Sequence, residues 1–139
     1  MKKVFADTGY WIALLNPSDD LHQKARIITA FFMPSLEIVT SEMIFTELLN
    51  AFSKQGALFR RTAVNLINQS FGNPNIEIVP QTSDLFTSAL ELYNQRLDQA
   101  WSHTDCASFQ IMHKLGIQEA LAYDKHFEQA GFVALLRQD

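Results

Sequence analysis

The chain has 139 residues, 47% apolar and 19% charged, a balance that excludes a disordered segment and suits one domain around one buried core. A net charge of −4 and a pI near 5.5 exclude a basic nucleic-acid-binding tail, so an RNA or DNA ligand would need a local basic patch or a bound cation. Cys106 is the single cysteine, which rules out an intrachain disulfide and suits a reducing compartment.

Lys2 and Lys3 followed by Val4-Phe5-Ala6 open like a signal peptide, but Asp7 cuts the apolar run short. Residues 4–6 therefore read as a buried strand that stops at Asp7. Residues 10–15 form a short helical turn, too short to span a membrane, broken by Asn16-Pro17-Ser18. Asp19 or Asp20 caps a helix running to about Phe32, and Pro34-Ser35 is a turn. Residues 37–40 are a second strand.

Ser41 caps an amphipathic helix to about Lys54, with Ile44, Leu48 and Phe52 on one stripe and Phe45 and Leu49 widening it. Gly56 ends it, and a further helix covers residues 59–71. After the loop Gly72-Asn73-Pro74-Asn75 come a strand over 76–79 and a helix to about Leu97, capped by Thr82 or Ser83. A helix over 103–115 stops at Gly116. Residues 120–123 are a fourth strand, Asp124 opens a short helix ending before Gly131, and residues 132–135 suit an edge strand. This order predicts one α/β domain over residues 1–139. Its central sheet is mainly parallel, with four or five strands flanked by helices. The expectation is a soluble, cytoplasmic protein with no membrane association.

In such a sheet, ligands gather beyond the carboxyl ends of the strands. Asp7 and Asp124 each follow a predicted strand directly. Glu47 lies on the polar face of its helix with Asn50 and Lys54, and Asp105 falls in the first turn of the helix after Trp101-Ser102. The four acids can converge on one sheet edge. Crowded carboxylates repel one another unless a cation balances them, and Mg²⁺ or Mn²⁺ prefers such oxygen ligands and reaches out to phosphates. Each acid also has a plainer reading. Asp7 and Asp124 suit helix N-caps, Ser102 and Asp105 suit a capping box, and Glu47 suits a solvated helix face.

The segment Val4-Phe5-Ala6-Asp7-Thr8-Gly9-Tyr10-Trp11 resembles the opening strand and first acid of PIN-domain ribonucleases, especially the VapC-type toxins of toxin–antitoxin pairs. The resemblance continues through Thr40-Ser41-Glu42 to Thr46-Glu47-Leu48-Leu49-Asn50, then residues 98–109 around Asp105, then Ala122-Tyr123-Asp124-Lys125-His126-Phe127 and Gly131-Phe132. It covers nearly the whole chain, and no acid of the family pattern is missing.

The resemblance implies a PIN-like fold and metal-dependent hydrolysis of RNA phosphodiester bonds. Asp7 and Asp105 would be the main ligands of Mg²⁺ (or Mn²⁺), and Glu47 and Asp124 would complete the site directly or through water. Thr8 and Thr104 would hydrogen-bond the ligands or the phosphate. It further implies an antitoxin partner and a homodimer. The alternative is a PIN-like module that binds RNA or protein without cutting.

Other residues fit these readings less tightly. Lys54, Arg60 and Arg61 are the densest basic group and suit RNA-backbone contact as well as a solvated helix end. Tyr10, Trp11, Phe31, Phe32 and Phe45 suit either core or an apolar groove for a partner. No HxxxH pair points to zinc. His103 and His126 lie two residues from candidate acids and are read first as surface or capping residues, and Cys106 as a small core residue. A dehalogenase-like phosphatase needs a second Asp where Gly9 stands. A receiver domain needs an acidic pair beside its site, but Asp19-Asp20 follows a Pro turn. A flap nuclease needs an arch for which 139 residues leave no room.

Overall fold

The computed structural model describes residues 2–32 and 35–138. Five strands form one all-parallel sheet: β1 (Lys2–Ala6), β2 (Leu36–Ser41), β3 (Ile76–Val79), β4 (Glu119–Leu121) and β5 (Val133–Ala134). Their spatial order is β3-β2-β1-β4-β5. The crossovers are α1 (Thr8–Leu15) with α2 (His22–Phe32), α3 (Glu42–Phe52) with α4 (Ala57–Phe71), α5 (Ser83–Gln95) with α6 (His103–Leu115), and α7 (Lys125–Gln129). Leu135–Arg137 closes the described chain as one 3₁₀ turn.

Strand β1 is central because both its faces are covered. Val4, Phe5 and Ala6 are at most 1% exposed, the continuous apolar run that a parallel strand under helices requires. Its register is fixed on both sides, with Phe5 opposite Val39 of β2 and Ala120 of β4. The first two crossovers lead away from β1 to β2 and β3, and the third carries the chain back across to β4. The connections leaving β1 and β4 therefore diverge, which opens a crevice at the carboxyl ends of these two strands.

Helix boundaries follow local capping chemistry. Ser41 accepts from Ile44 N–H, Thr82 from Leu85 N–H, and Gly116 takes the left-handed conformation (φ 68°) that ends α6. Asp19 accepts from Leu21 N–H in a turn just before α2. Helix α3 ends at Phe52, short of Lys54, and α4 begins at Ala57, two residues before the expected start; Gly56 at φ 96° makes the turn between them. Helix α5 stops at Gln95 rather than Leu97, and β4 stops at Leu121, leaving Ala122 and Tyr123 to lead out of the sheet. Pro34 of the expected turn lies outside the described residues.

On α3 the stripe Ile44, Leu48 and Phe52 is wholly buried, whereas Leu49 is 39% exposed and marks its edge. Of the two readings given for the aromatics around Tyr10, core or partner groove, core is the one found for three of them. Tyr10, Trp11 and Phe45 are core residues, Tyr10 edge-on to Trp11 and Trp11 tilted against Phe45, and only Phe31 stands out in solvent. Helix α1 is apolar around its circumference and must bury every face, so its rings go inward. The Trp11 indole N–H donates to Thr40 Oγ1, whose hydroxyl donates to the Ala6 carbonyl, tying α1 to β2 and β1.

Candidate active site

The crevice beyond β1 and β4 is an open cleft of about 730 Å³ whose lining includes Asp7, Glu47, Asp105 and Asp124. Each acid arrives by a different local device. Asp7 extends the β1–β4 ladder, its N–H donating to the Leu121 carbonyl at 3.1 Å, and so it stands at the strand's exit. It occupies the N-cap position of α1 without a side-chain capping bond, which leaves its carboxylate free for the cleft. Glu47 reaches in from the middle of α3, and Thr8 Oγ1 donates to its Oε1 at 2.6 Å.

Asp105 carries out the plainer role too. Ser102 Oγ accepts from the Asp105 N–H, and Asp105 Oδ2 accepts from the Ser102 N–H, both at 3.0 Å, a complete capping box. The same Oδ2 lies 3.0 Å from Nδ1 of His126. Its other oxygen, Oδ1, has no hydrogen-bond partner among the described residues. Asp124 caps α7 through Oδ1, which accepts from His126 N–H at 3.0 Å, and that oxygen lies 3.2 Å from His126 Nδ1. Capping and clustering therefore coexist at these two positions: the cap fixes the rotamer that points the carboxylate into the cleft.

Burial pushes the Asp7 carboxyl up to about 7; a backbone hydrogen bond from Thr8 pulls the other way, and the charges of Asp105, Glu47 and Asp124 add smaller upward contributions. A carboxylate raised by burial and by neighbouring acids is the electrostatic condition that a divalent cation relieves. Ligand atoms of Asp105, Asp124 and His126 lie within 4.8 Å of one another. Together with Asp7 and Glu47 in the same cleft, they form an oxygen-rich donor set with one imidazole. That chemistry fits a hard divalent ion better than a thiol- or histidine-dominated metal.

His126 is the residue that sequence reasoning weighed too lightly. It lines the cleft and bridges two acids instead of serving the surface. Its signal was present in Asp124-Lys125-His126, since the first turn after a capping Asp folds residue i+2 back over the cap. The cleft's basic residues were also missed: Lys125 and Arg137 line it, whereas Arg60 and Arg61 line a separate hollow beside Ser53, and Lys54 lines neither. Thr104 is half-buried and absent from the cleft lining, where Ser102 stands instead. His103 bonds the Phe86 carbonyl and packs on its ring, as a structural residue would. Cys106 is fully buried, and burial pushes its thiol pKa up, the reverse of an activated nucleophile.

The PIN domain family model matches residues 4–133. Two curated relatives, both the 23S rRNA-specific endonuclease VapC20 from Mycobacterium tuberculosis strains, are 32% identical over 133 residues, covering 94% of this chain and 95% of theirs. A crystal structure of Mycobacterium tuberculosis VapC20, described as a sarcin–ricin loop cleaving toxin, superposes with a TM-score of 0.82 at 30% identity, covering 94% of this chain and 96% of that one. The chain belongs to the PIN-domain family. Within that family it is a homologue of the VapC20 ribonuclease toxins.

Proposed function

We propose that this protein is a single-domain, metal-dependent endoribonuclease over residues 1–139 that acts as the toxin of a toxin–antitoxin pair. One observation carries the catalytic reading. Four carboxylates from β1, α3, α6 and the β4–α7 turn line one cleft at the sheet's switch point, where burial first and the neighbouring acids after it raise the Asp7 carboxyl to about 7. A non-catalytic binding module has no need of that repulsion. Asp7 and Asp105 would be the principal ligands for Mg²⁺ (or Mn²⁺), and Glu47 and Asp124 would complete the site directly or through water.

A divalent ion bound there supplies polarisation of the phosphate and activation of the attacking water. The chain's own residues do the rest. Thr8 fixes the Glu47 carboxylate. His126 Nδ1, set between Asp105 and Asp124, offsets part of their repulsion and limits their rotation. Lys125 and Arg137 bring positive charge to the rim of an otherwise acidic cleft, where an RNA phosphate would approach. In the reaction, water oxygen adds to phosphorus, one P–O ester bond breaks, and the departing oxygen takes up a proton.

The VapC20 relatives are named for 23S rRNA, and the corresponding substrate class for this chain is a structured loop of ribosomal RNA. The antitoxin reading is supported by Ile27 and Phe31 on α2, 66% and 79% exposed, which suit an apolar partner segment. A homodimer is supported by Phe86, Leu90, Tyr93 and Leu97, which recur at helical spacing along α5 and just beyond it with about half or more of each side chain open. Among the described residues no helix is long and apolar enough to cross a membrane. A cytoplasmic location follows from the RNA substrate.

The test is incubation of partner-free protein with ribosomal RNA and loop oligonucleotides in Mg²⁺, Mn²⁺ or EDTA. Cleavage at defined positions that EDTA stops is the expected result. Undiminished RNA or protein binding in EDTA, without cleavage of any RNA under any metal, would turn the reading to a binding module.

A further inference from the structure

Two arginine–aromatic pairs have the same spacing and opposite surroundings. The Arg96 guanidinium lies 4.9 Å from the centre of the Trp101 ring, and that of Arg137 lies 4.9 Å from the centre of the Tyr123 ring. Trp101 is 6% exposed, its indole N–H donates to Gln129, and it packs edge-on against Phe109, so that ring belongs to the core and Arg96 lies over it at the surface. Tyr123 is 50% exposed and its hydroxyl has no hydrogen-bond partner among the described residues. Tyr123 and Arg137 both line the cleft, and Tyr123 is next in sequence to Asp124.

Arg137 is held in place from two sides. Its Nη1 donates to the Tyr123 carbonyl at 2.9 Å, and its Nε lies 3.0 Å from Glu128 Oε1. The guanidinium therefore covers one ring face in a fixed pose, and the exposed face is left to the cleft. Tyr123 left the sheet when β4 stopped at Leu121, and no core contact explains a large aromatic at this point. On the other side of Asp124, Lys125 has no ion-pair partner among the described residues and also lines the cleft.

We propose that Tyr123, backed by Arg137, is a stacking platform for an unpaired nucleobase of the RNA, placed beside the acidic centre, with Lys125 taking an adjacent phosphate. This rests on the ribonuclease reading above and deepens it. A base inside a duplex has both faces covered and cannot use such a platform, so the site selects a splayed, single-stranded nucleotide. Stacking is tolerant of base identity, so the platform distinguishes loop from helix rather than one base from another. Tyr123 is thus a substrate-positioning residue, separate from the acids that carry the chemistry.

The experiment compares wild type, Tyr123→Phe and Tyr123→Leu on a hairpin RNA that wild type cleaves, reading kcat and KM separately. Thermal melting checks each fold. Tyr123→Leu is expected to raise KM roughly tenfold, the range seen for loss of one base–aromatic stack, with kcat within about twofold. Tyr123→Phe keeps the ring and should match wild type. In parallel, Asp7→Asn protein is titrated with hairpins carrying 2-aminopurine at successive loop positions, and one position should be quenched by stacking.

A wild-type KM for Tyr123→Leu, an equal loss in Tyr123→Phe, or no quenched position at all would each overturn the platform. Should Tyr123→Leu fail to fold, the quench experiment decides alone. If wild type cleaves no RNA, the ribonuclease reading falls and the platform with it; if wild type cleaves and only the Tyr123 variants behave as wild type, the platform alone falls.

Discussion

On the β1 side of the cleft, the Asp7 carboxylate is buried and tied into no helix cap. Burial, with a smaller push from three other acids, raises it to about 7. On the α6–α7 side, Asp105 is bound on the same oxygen by the Ser102 N–H and by His126, and Asp124 is tied into its own helix cap. One side of the site is therefore electrostatically strained and the other is rigidly built. The two sides divide the work: a strained carboxylate binds a cation avidly, and fixed carboxylates set where that cation must lie.

The largest effect should come from the strained side. Asp7→Asn is expected to lower cleavage by at least about 10³-fold, because a ligand charge is lost where the phosphate charge is met. The same change should stabilise the metal-free fold. Raising the folded-state pKa from 3.8 to about 7 means that ionising Asp7 destabilises the native state, increasingly as pH rises from about 4 to 7 and fully above that. Asp7→Asn should therefore melt higher than wild type at pH 8, by roughly 2–4 kcal/mol of stability in EDTA, and equally at pH 4. Equal melting at pH 8 would show that Asp7 is not strained. By the same linkage, protons compete with the cation, so metal affinity of wild type should fall as pH drops below about 7; calorimetric titration at pH 6 and 8 checks this.

The rigid side should respond with the opposite sign. Asp105→Ala removes a ligand and half of a capping box, so activity should fall steeply and stability should drop by about 1 kcal/mol instead of rising. A stability gain on Asp105→Ala would erase the contrast between the two sides. Smaller again is Thr8→Val, which frees the Glu47 carboxylate without removing it; an activity loss on the order of tenfold is expected, with an unchanged melting temperature. The smallest effect is predicted for Arg60→Ala with Arg61→Ala. These residues lie outside the cleft, and cleavage should change by less than about threefold if Lys125 and Arg137 supply the local positive charge.

What could be read from the chain was whatever short-range physics controls. The alternation of apolar strand and capped helix predicted a mainly parallel α/β order, because each signal lies within a few residues: Ser41 and Thr82 capping their helices, Gly116 ending α6, Ser102 and Asp105 closing a box. The placement of Asp7 and Asp124 directly after apolar runs, and of Glu47 on a polar helix face, brought the four acids into view in the same way. Other features depend on pairing between distant segments. The order β3-β2-β1-β4-β5 places the β4 exit beside the β1 exit, and no local pattern encodes which strands become neighbours. That pairing decided that His126 would fall between two acids, and that Tyr10, Trp11 and Phe45 would be core. It also decided that the positive rim would be Lys125 and Arg137 rather than Lys54, Arg60 and Arg61, because a charge acts through distance in space and not along the sequence.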